Sequence, residues 1–175
     1  MDRPLEGVRV LDLGQIYQGP YCGMILSHLG ADVIKIERAG GETIRDRAPD
    51  GETPEVQLLN PSKRGITLNL KSKAGKKALK DLVKESDVLL ENFSVGKMDE
   101  LGVGYEDVRE INEDIVYCSL SGYGQEGDLR EKSGHDLNYA AYAGLLDMTR
   151  TDDGTPAIPG YPIGDMSGGM TAAFA

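Results

Sequence analysis

A parallel, doubly wound α/β sheet is the fold class that this sequence predicts. Short apolar runs that read as strands are separated by stretches with helical periodicity, and Gly- or Pro-containing turns link the two. The chain has 175 residues, 39% of them hydrophobic and 27% charged, which suits a folded domain with a core.

The elements follow in order. Val8–Leu13 is a strand, and Gly14–Pro20 is a Gly-containing turn. Tyr21–Leu29 reads as a helix, with Cys22, Ile25, Leu26 and Leu29 at helical spacing and Gly30 as its stop. Asp32–Ile36 is the second strand. Residues 39–62 form a long excursion rich in Gly, Pro and charge, a length that in compact domains often signals function. Gly65–Leu70 alternates apolar and polar residues, as a half-buried strand does. Ser72 is positioned to cap the next helix, whose stripe is Ala74, Ala78, Leu79, Leu82 and Val83. Asp87–Phe93 is a strand, Tyr105–Ile111 a short helix and Ile115–Leu120 the last strand. Residues 122–134 are a loop, Asp136–Leu146 a helix, residues 151–163 a Pro/Gly connection, and Ser167–Ala175 the start of another helix. That last run is apolar and has no C-cap, so the chain reads as a piece of a longer protein.

Composition excludes several function classes. With 19 Lys and Arg against 29 Asp and Glu, the formal charge is -10, which repels phosphate backbones and disfavours nucleic-acid binding. An anionic ligand must meet a local basic cluster instead. The uncharged stretch from Leu13 to Ala31 carries four glycines, two glutamines and a histidine, too polar for a membrane span. Cys22 and Cys118 make neither a disulfide framework nor a zinc site, so no metal is expected and a reducing cytoplasm is the simpler location.

The turn after the first strand lacks both G-x-G-x-x-G and Gly-Lys-Ser/Thr, so the nicotinamide and P-loop readings lose their defining residues. Ligands of open α/β sheets bind beyond the carboxyl ends of strands, where Tyr17 and Gln18 fall. Arg38 ends the second strand, Lys71 the third, and Asn92-Phe93 the fourth. A guanidinium, an ammonium and an amide–aromatic pair at one sheet edge suit a ligand with phosphates and a stacking ring. His135 opens Gly-His-Asp-Leu-Asn-Tyr, and Asp165 sits in Gly-Asp-Met-Ser-Gly just before the final helix, a place where Asp is usually an N-cap. Its small neighbours also leave the carboxylate open to a ligand.

These residues resemble the class III coenzyme A transferases, the CaiB/BaiF family, which includes α-methylacyl-CoA racemases. The resemblance rests on Pro4–Leu13, Gly19-Pro20, Leu29–Arg38, Lys63-Arg64, Leu68–Lys71, Asp87–Phe93, Ser121–Gln125 and Gly164-Asp165. It implies a Rossmann-like large domain plus a small domain, in a dimer of interlocked chains. Residues 1–175 would be an incomplete N-terminal part of the CoA-binding large domain, with the small domain absent. Asp165 falls on the family's catalytic aspartate, the nucleophile towards an acyl-CoA thioester. Arg38, Leu68, Lys71, Asn92 and Phe93 match positions that hold coenzyme A. Glu100 stands where some members carry Arg, and Lys97 is the nearest substitute. Tyr17 stands where formyl-transferring members use a glutamine, a departure from a formyl/oxalate substrate. The resemblance therefore implies CoA transfer between an acyl-CoA and a carboxylic acid. His135 and Asp165, thirty positions apart, also match the racemase branch, so racemisation of a 2-methylacyl-CoA is the alternative. A third reading is a fragment that binds CoA, or nothing, without catalysis.

Overall fold

Five strands line up side by side, all parallel, in the order β3-β2-β1-β4-β5. They are β1 (Arg9–Asp12), β2 (Asp32–Glu37), β3 (Arg64–Thr67), β4 (Val88–Glu91) and β5 (Val116–Ser119). The computed structural model describes residues 3–175. Parallel strands need crossovers, and helices supply them: α1 (Gln18–His28), α2 (Pro54–Leu59), α3 (Lys73–Val83), α4 (Lys97–Leu101), α5 (Tyr105–Arg109), α6 (Asp136–Tyr142), α7 (Leu145–Met148) and α8 (Ile163–Phe174).

Helices on both faces explain why the central strands read as continuous apolar runs rather than alternations. Val10, Val33 and Leu90 turn to one face, where Cys22 of α1 and Ala172 and Ala173 of α8 join the cluster. Leu11, Ile34 and Leu89 turn to the other, against Leu79 and Val83 of α3. Leu79 is fully buried, which stabilises the sheet–helix contact by about 1.5–3 kcal/mol. The Ser72 hydroxyl caps α3 as expected, accepting the Gly75 N–H at 3.0 Å.

Four expectations change. β3 is exposed along its whole length, not half-buried, because it is an edge strand paired only with β2. The excursion at 39–62 is not structureless: it holds a 3-10 turn at Thr43–Arg47 and α2, whose N-cap Thr53 accepts the Val56 N–H at 3.3 Å. The helix expected over Asp136–Leu146 divides into α6 and α7 at Gly144, whose φ of +77° is left-handed. α8 begins four residues earlier than expected, at Ile163, so Asp165 lies inside its first turn rather than at the N-cap. Within α8, Met166 and Gly169 are buried, while Met170 and Phe174 face outward.

Strand order reverses between β1 and β4. The crevice beyond the carboxyl ends of these two strands is the expected ligand position of an open α/β sheet.

Candidate active site

The turn from Gly14 to Gln18 lies across that crevice and divides it. On one side is a cleft of about 410 Å³ whose lining includes Arg38, Leu68, Lys71, Phe93 and Lys97. On the other is a cleft of about 300 Å³ whose lining includes Tyr17, Gln18, Asn92, His135 and Asp165. Gln15 and Phe93 line both, so the two clefts share a wall. All nine residues expected from the sequence therefore reach the crevice. Arg38, Leu68 and Lys71 belong to the first cleft; His135 and Asp165 belong to the second.

In the first cleft, cations surround an apolar floor. Arg38 donates through Nε to the Gly41 carbonyl at 2.8 Å and pairs with Asp46 at 3.3 Å. Lys97 reaches back to Glu100 at 2.6 Å, so the acid found in place of a basic residue is neutralised on its own helix. Phe93 is fixed through its backbone: its N–H donates to Glu91 Oε2 at 2.7 Å. Burial pushes the Glu91 carboxyl up, against the opposing hydrogen bonds from Ser119 and from that N–H.

Asn92 differs from its expected role. Its Oδ1 accepts the Gln15 N–H at 2.7 Å and its Nδ2 donates to the Gln15 carbonyl at 3.0 Å. Both ends of the amide are thus occupied with the turn. Gly14 and Gly19 let that turn close on itself: a Cβ on Gly14 would lie 2.5 Å from Gly19 Cα.

In the second cleft, α6 and α8 bring their first turns together. The Asp165 N–H donates to Asp136 Oδ1 at 3.0 Å. Asp136 is thus a site residue that sequence reading missed; its adjacency to His135 was visible, but its pairing with a residue on α8 was not. The Asp165 carboxyl is pushed up to about 6, by burial first and then by the Asp136 charge, with His135 acting in the opposite direction. His135 holds its place by donating its N–H to Asn138 Oδ1 at 2.8 Å. Gln18 packs on α8 so closely that a Cβ on Gly168 would lie 2.3 Å from its Nε2. The Tyr17 hydroxyl donates to Glu55 Oε1 at 3.2 Å, which joins α2 to the site.

Beneath the turn lies a group of charges to which the sequence reading assigned no role. Asp12, Lys35 and Glu42 are buried, and the Lys63 ammonium is equally shielded. Lys63 Nζ donates to Asp12 Oδ2 at 2.8 Å, to the Pro20 carbonyl at 2.7 Å and to Asn60 Oδ1 at 2.9 Å. Lys35 Nζ donates to the Gly14 carbonyl and pairs with Glu42 Oε1 at 3.2 Å. Burial alone would raise Asp12, but the ammoniums of Lys35 and Lys63 outweigh it and hold the carboxyl below its usual range. Two acids and two bases make the group neutral overall, which is how charges persist in a core.

Known proteins share this arrangement of sequence and fold. Residues 5–175 match the family model of CoA-transferase family III. The chain is 40% identical over 174 residues to a Mus musculus protein named succinyl-CoA:glutarate CoA-transferase, covering 97% of this chain and 40% of that one. It is 38% identical over 175 residues to a Streptomyces avermitilis protein named formyl-CoA:oxalate CoA-transferase, covering 98% and 42%. A crystal structure of a CaiB/BaiF family protein from Brucella suis matches with a TM-score of 0.94 at 34% identity, covering 99% of this chain and 48% of that one. The chain thus spans less than half the length of these relatives.

Proposed function

The chain belongs to CoA-transferase family III, and on that footing we propose that it transfers coenzyme A from an acyl-CoA to a carboxylic acid through an aspartyl intermediate on Asp165. One observation carries this reading. A half-buried carboxylate in one cleft is joined, across Gln15 and Phe93, to a second cleft rimmed by Arg38, Lys71 and Lys97. A thioester reaching from one to the other would place its anionic nucleotide among the cations and its acyl carbon beside Asp165.

The chemistry then follows. An Asp165 carboxylate oxygen attacks the thioester carbon and the C–S bond breaks, leaving a mixed anhydride and the CoA thiolate. The thiolate attacks the aspartyl carbon and releases the donor acid, which leaves an aspartyl-CoA thioester. The acceptor carboxylate attacks that thioester, and the freed thiolate completes the exchange at the acceptor's own carbon. Each step exchanges one acyl leaving group for another, so one difficult reaction becomes several easier ones. Tyr17 and Gln18 face this carbon as hydrogen-bonding groups. Leu68 and Phe93 offer the apolar surface for the base, with Arg38 and Lys71 for the phosphates. Asn92 serves by holding the turn.

His135 lines the same cleft and partly offsets the charge repulsion on Asp165. The named relatives are transferases and lend no support to the racemisation alternative. The names of the relatives direct the first assay to succinyl-CoA with glutarate as acceptor. Glutaryl-CoA is expected to form, and Asp165→Ala to reduce its rate by about a thousandfold or more. Hydroxylamine added with succinyl-CoA should trap the protein as an aspartyl hydroxamate at residue 165, detected by peptide mass. Turnover without that adduct would remove the aspartyl route.

A further inference from the structure

The turn that divides the two clefts contains a backbone conformation its sequence does not favour. Ile16 has a φ of +65°, one of two non-glycine residues among those described with a left-handed φ. For a β-branched side chain this region is sterically poor, by about 1–2 kcal/mol, and it persists only where the surroundings enforce it. Glu42 supplies the enforcing contact. The Ile16 N–H donates to Glu42 Oε2 at 2.6 Å. Glu42 is 3% exposed, and its other oxygen faces Lys35 at 3.2 Å. Lys35 in turn donates to the carbonyl of Gly14, two residues before Ile16. On the opposite side, Asn92 clamps Gln15 through both its N–H and its carbonyl. Tyr17 and Gln18 follow directly, and both line the cleft that contains Asp165.

We propose that Glu42 is a positioning residue for acyl transfer: its carboxylate imposes the left-handed turn at Ile16 and so sets Tyr17 and Gln18 against the thioester. This rests on the assignment of Tyr17, Gln18 and Asp165 to the transfer site. Glu42 also lines the cleft assigned to the nucleotide. Its negative charge there does nothing to attract an anionic ligand, so its presence is explained by the turn rather than by coenzyme A.

That difference in sign supplies the test. Affinities of free coenzyme A and of a thioether analogue of succinyl-CoA are measured by calorimetry on the whole chain, for the wild type, Glu42→Ala and Glu42→Gln. Amide hydrogen exchange at residues 16–18 is followed in the same proteins. Glu42→Ala is expected to lose protection at 16–18 and to weaken the analogue about tenfold relative to free coenzyme A, whose own affinity holds or improves. Glu42→Gln keeps an acceptor for the Ile16 N–H and should fall between, and it carries the test if the alanine variant does not fold. In an Ile16→Gly background the Glu42→Gln effect should shrink, because glycine occupies the left-handed region without cost. Equal weakening of both ligands would overturn the proposal in favour of general structural support. Unchanged exchange at 16–18, or an unchanged affinity ratio, would overturn it as well. A wild type that binds neither ligand would instead defeat the coenzyme A reading itself, and this inference with it.

Discussion

In the role proposed for it, Asp165 combines two demands that pull apart. A nucleophilic carboxylate must be ionised, yet burial and the neighbouring Asp136 push its carboxyl up to about 6. The folded protein therefore binds this proton more tightly than the unfolded chain does. Stability contributed by the protonated form is complete below about pH 4 and is lost as pH rises to about 6. Activity runs the other way. We expect kcat/KM for transfer to climb tenfold per pH unit below about pH 6 and to level above it. Asp165→Asn should raise the melting temperature at pH 7.5 while abolishing transfer, and the gain should vanish below pH 4. A profile with no limb near pH 6, or a variant less stable than the wild type at pH 7.5, would contradict this account. His135, Asp165, Arg38 and Lys71 were legible in the sequence because each sits at a recognisable place, a strand end or a helix start. Asp136, Lys35 and Glu42 were not, since their roles depend on partners 21 to 29 positions away.

Among the elements, the buried strands were the most legible. β1, β2 and β4 each carry an apolar run covered by helices and neighbouring strands, so pattern and burial agree, whereas β5, the other edge, leaves Val116 60% exposed. β3 has the alternation of a half-buried strand without the burial, because an edge strand meets a neighbour on one side only. The starts of α3, α5 and α6 agree with the sequence, whereas α1 starts at Gln18 rather than Tyr21 and α8 at Ile163 rather than Ser167 for a shared reason: Gly and Pro read as breakers. Pro20 is the third residue of α1, where the backbone N–H it lacks would have had no helical partner. Glycines near the start of α8 serve its packing against α1. A Cβ on Gly169 would lie 2.4 Å from the Gln18 carbonyl oxygen and 3.3 Å from the Cys22 nitrogen. Replacing a helical glycine by alanine ordinarily gains about 1 kcal/mol, but the displacement of backbone here should cost about 1–3 kcal/mol and reverse the sign. Gly169→Ala is thus expected to lower the urea midpoint without changing the slope. It should also slow transfer, since Asp165 lies one helical turn away. A stabilised variant would show that α1 and α8 are packed more loosely than described.

Across the whole molecule, the net charge of -10 coexists with a neutral group of four charges at its centre. Lys63→Met would leave Asp12 with Lys35 alone, 3.9 Å away. Breaking a buried pair in this way costs about 3–5 kcal/mol, a large share of the 5–15 kcal/mol that holds a typical domain together. With one cation gone, Asp12 binds its proton more readily, and the stability it supplies is lost at higher pH as acid is added. Acid unfolding of Lys63→Met should therefore begin at a higher pH than in the wild type. An unchanged acid midpoint, read by far-ultraviolet circular dichroism, would show that Lys63 does not govern Asp12.

The same four charges also determine how the excursion between β2 and β3 can vary. Glu42 and Lys63 stand at its two ends, and both are tied to the β1–α1 turn, one at Ile16 and the other at Asp12 and Pro20. Everything between them is a closed ring of chain fastened at its base. Doubling the length of such a ring adds only about 0.6 kcal/mol of closure entropy. Ile44, Val56 and Leu59 are buried and Asn60 accepts from Lys63, so length can vary within residues 48–52, between these anchors, while the turn stays in place. Glu55 follows that stretch and receives the Tyr17 hydroxyl, so a change of length there would be felt at Tyr17 while Glu42 and Lys63 keep their own ties to the turn.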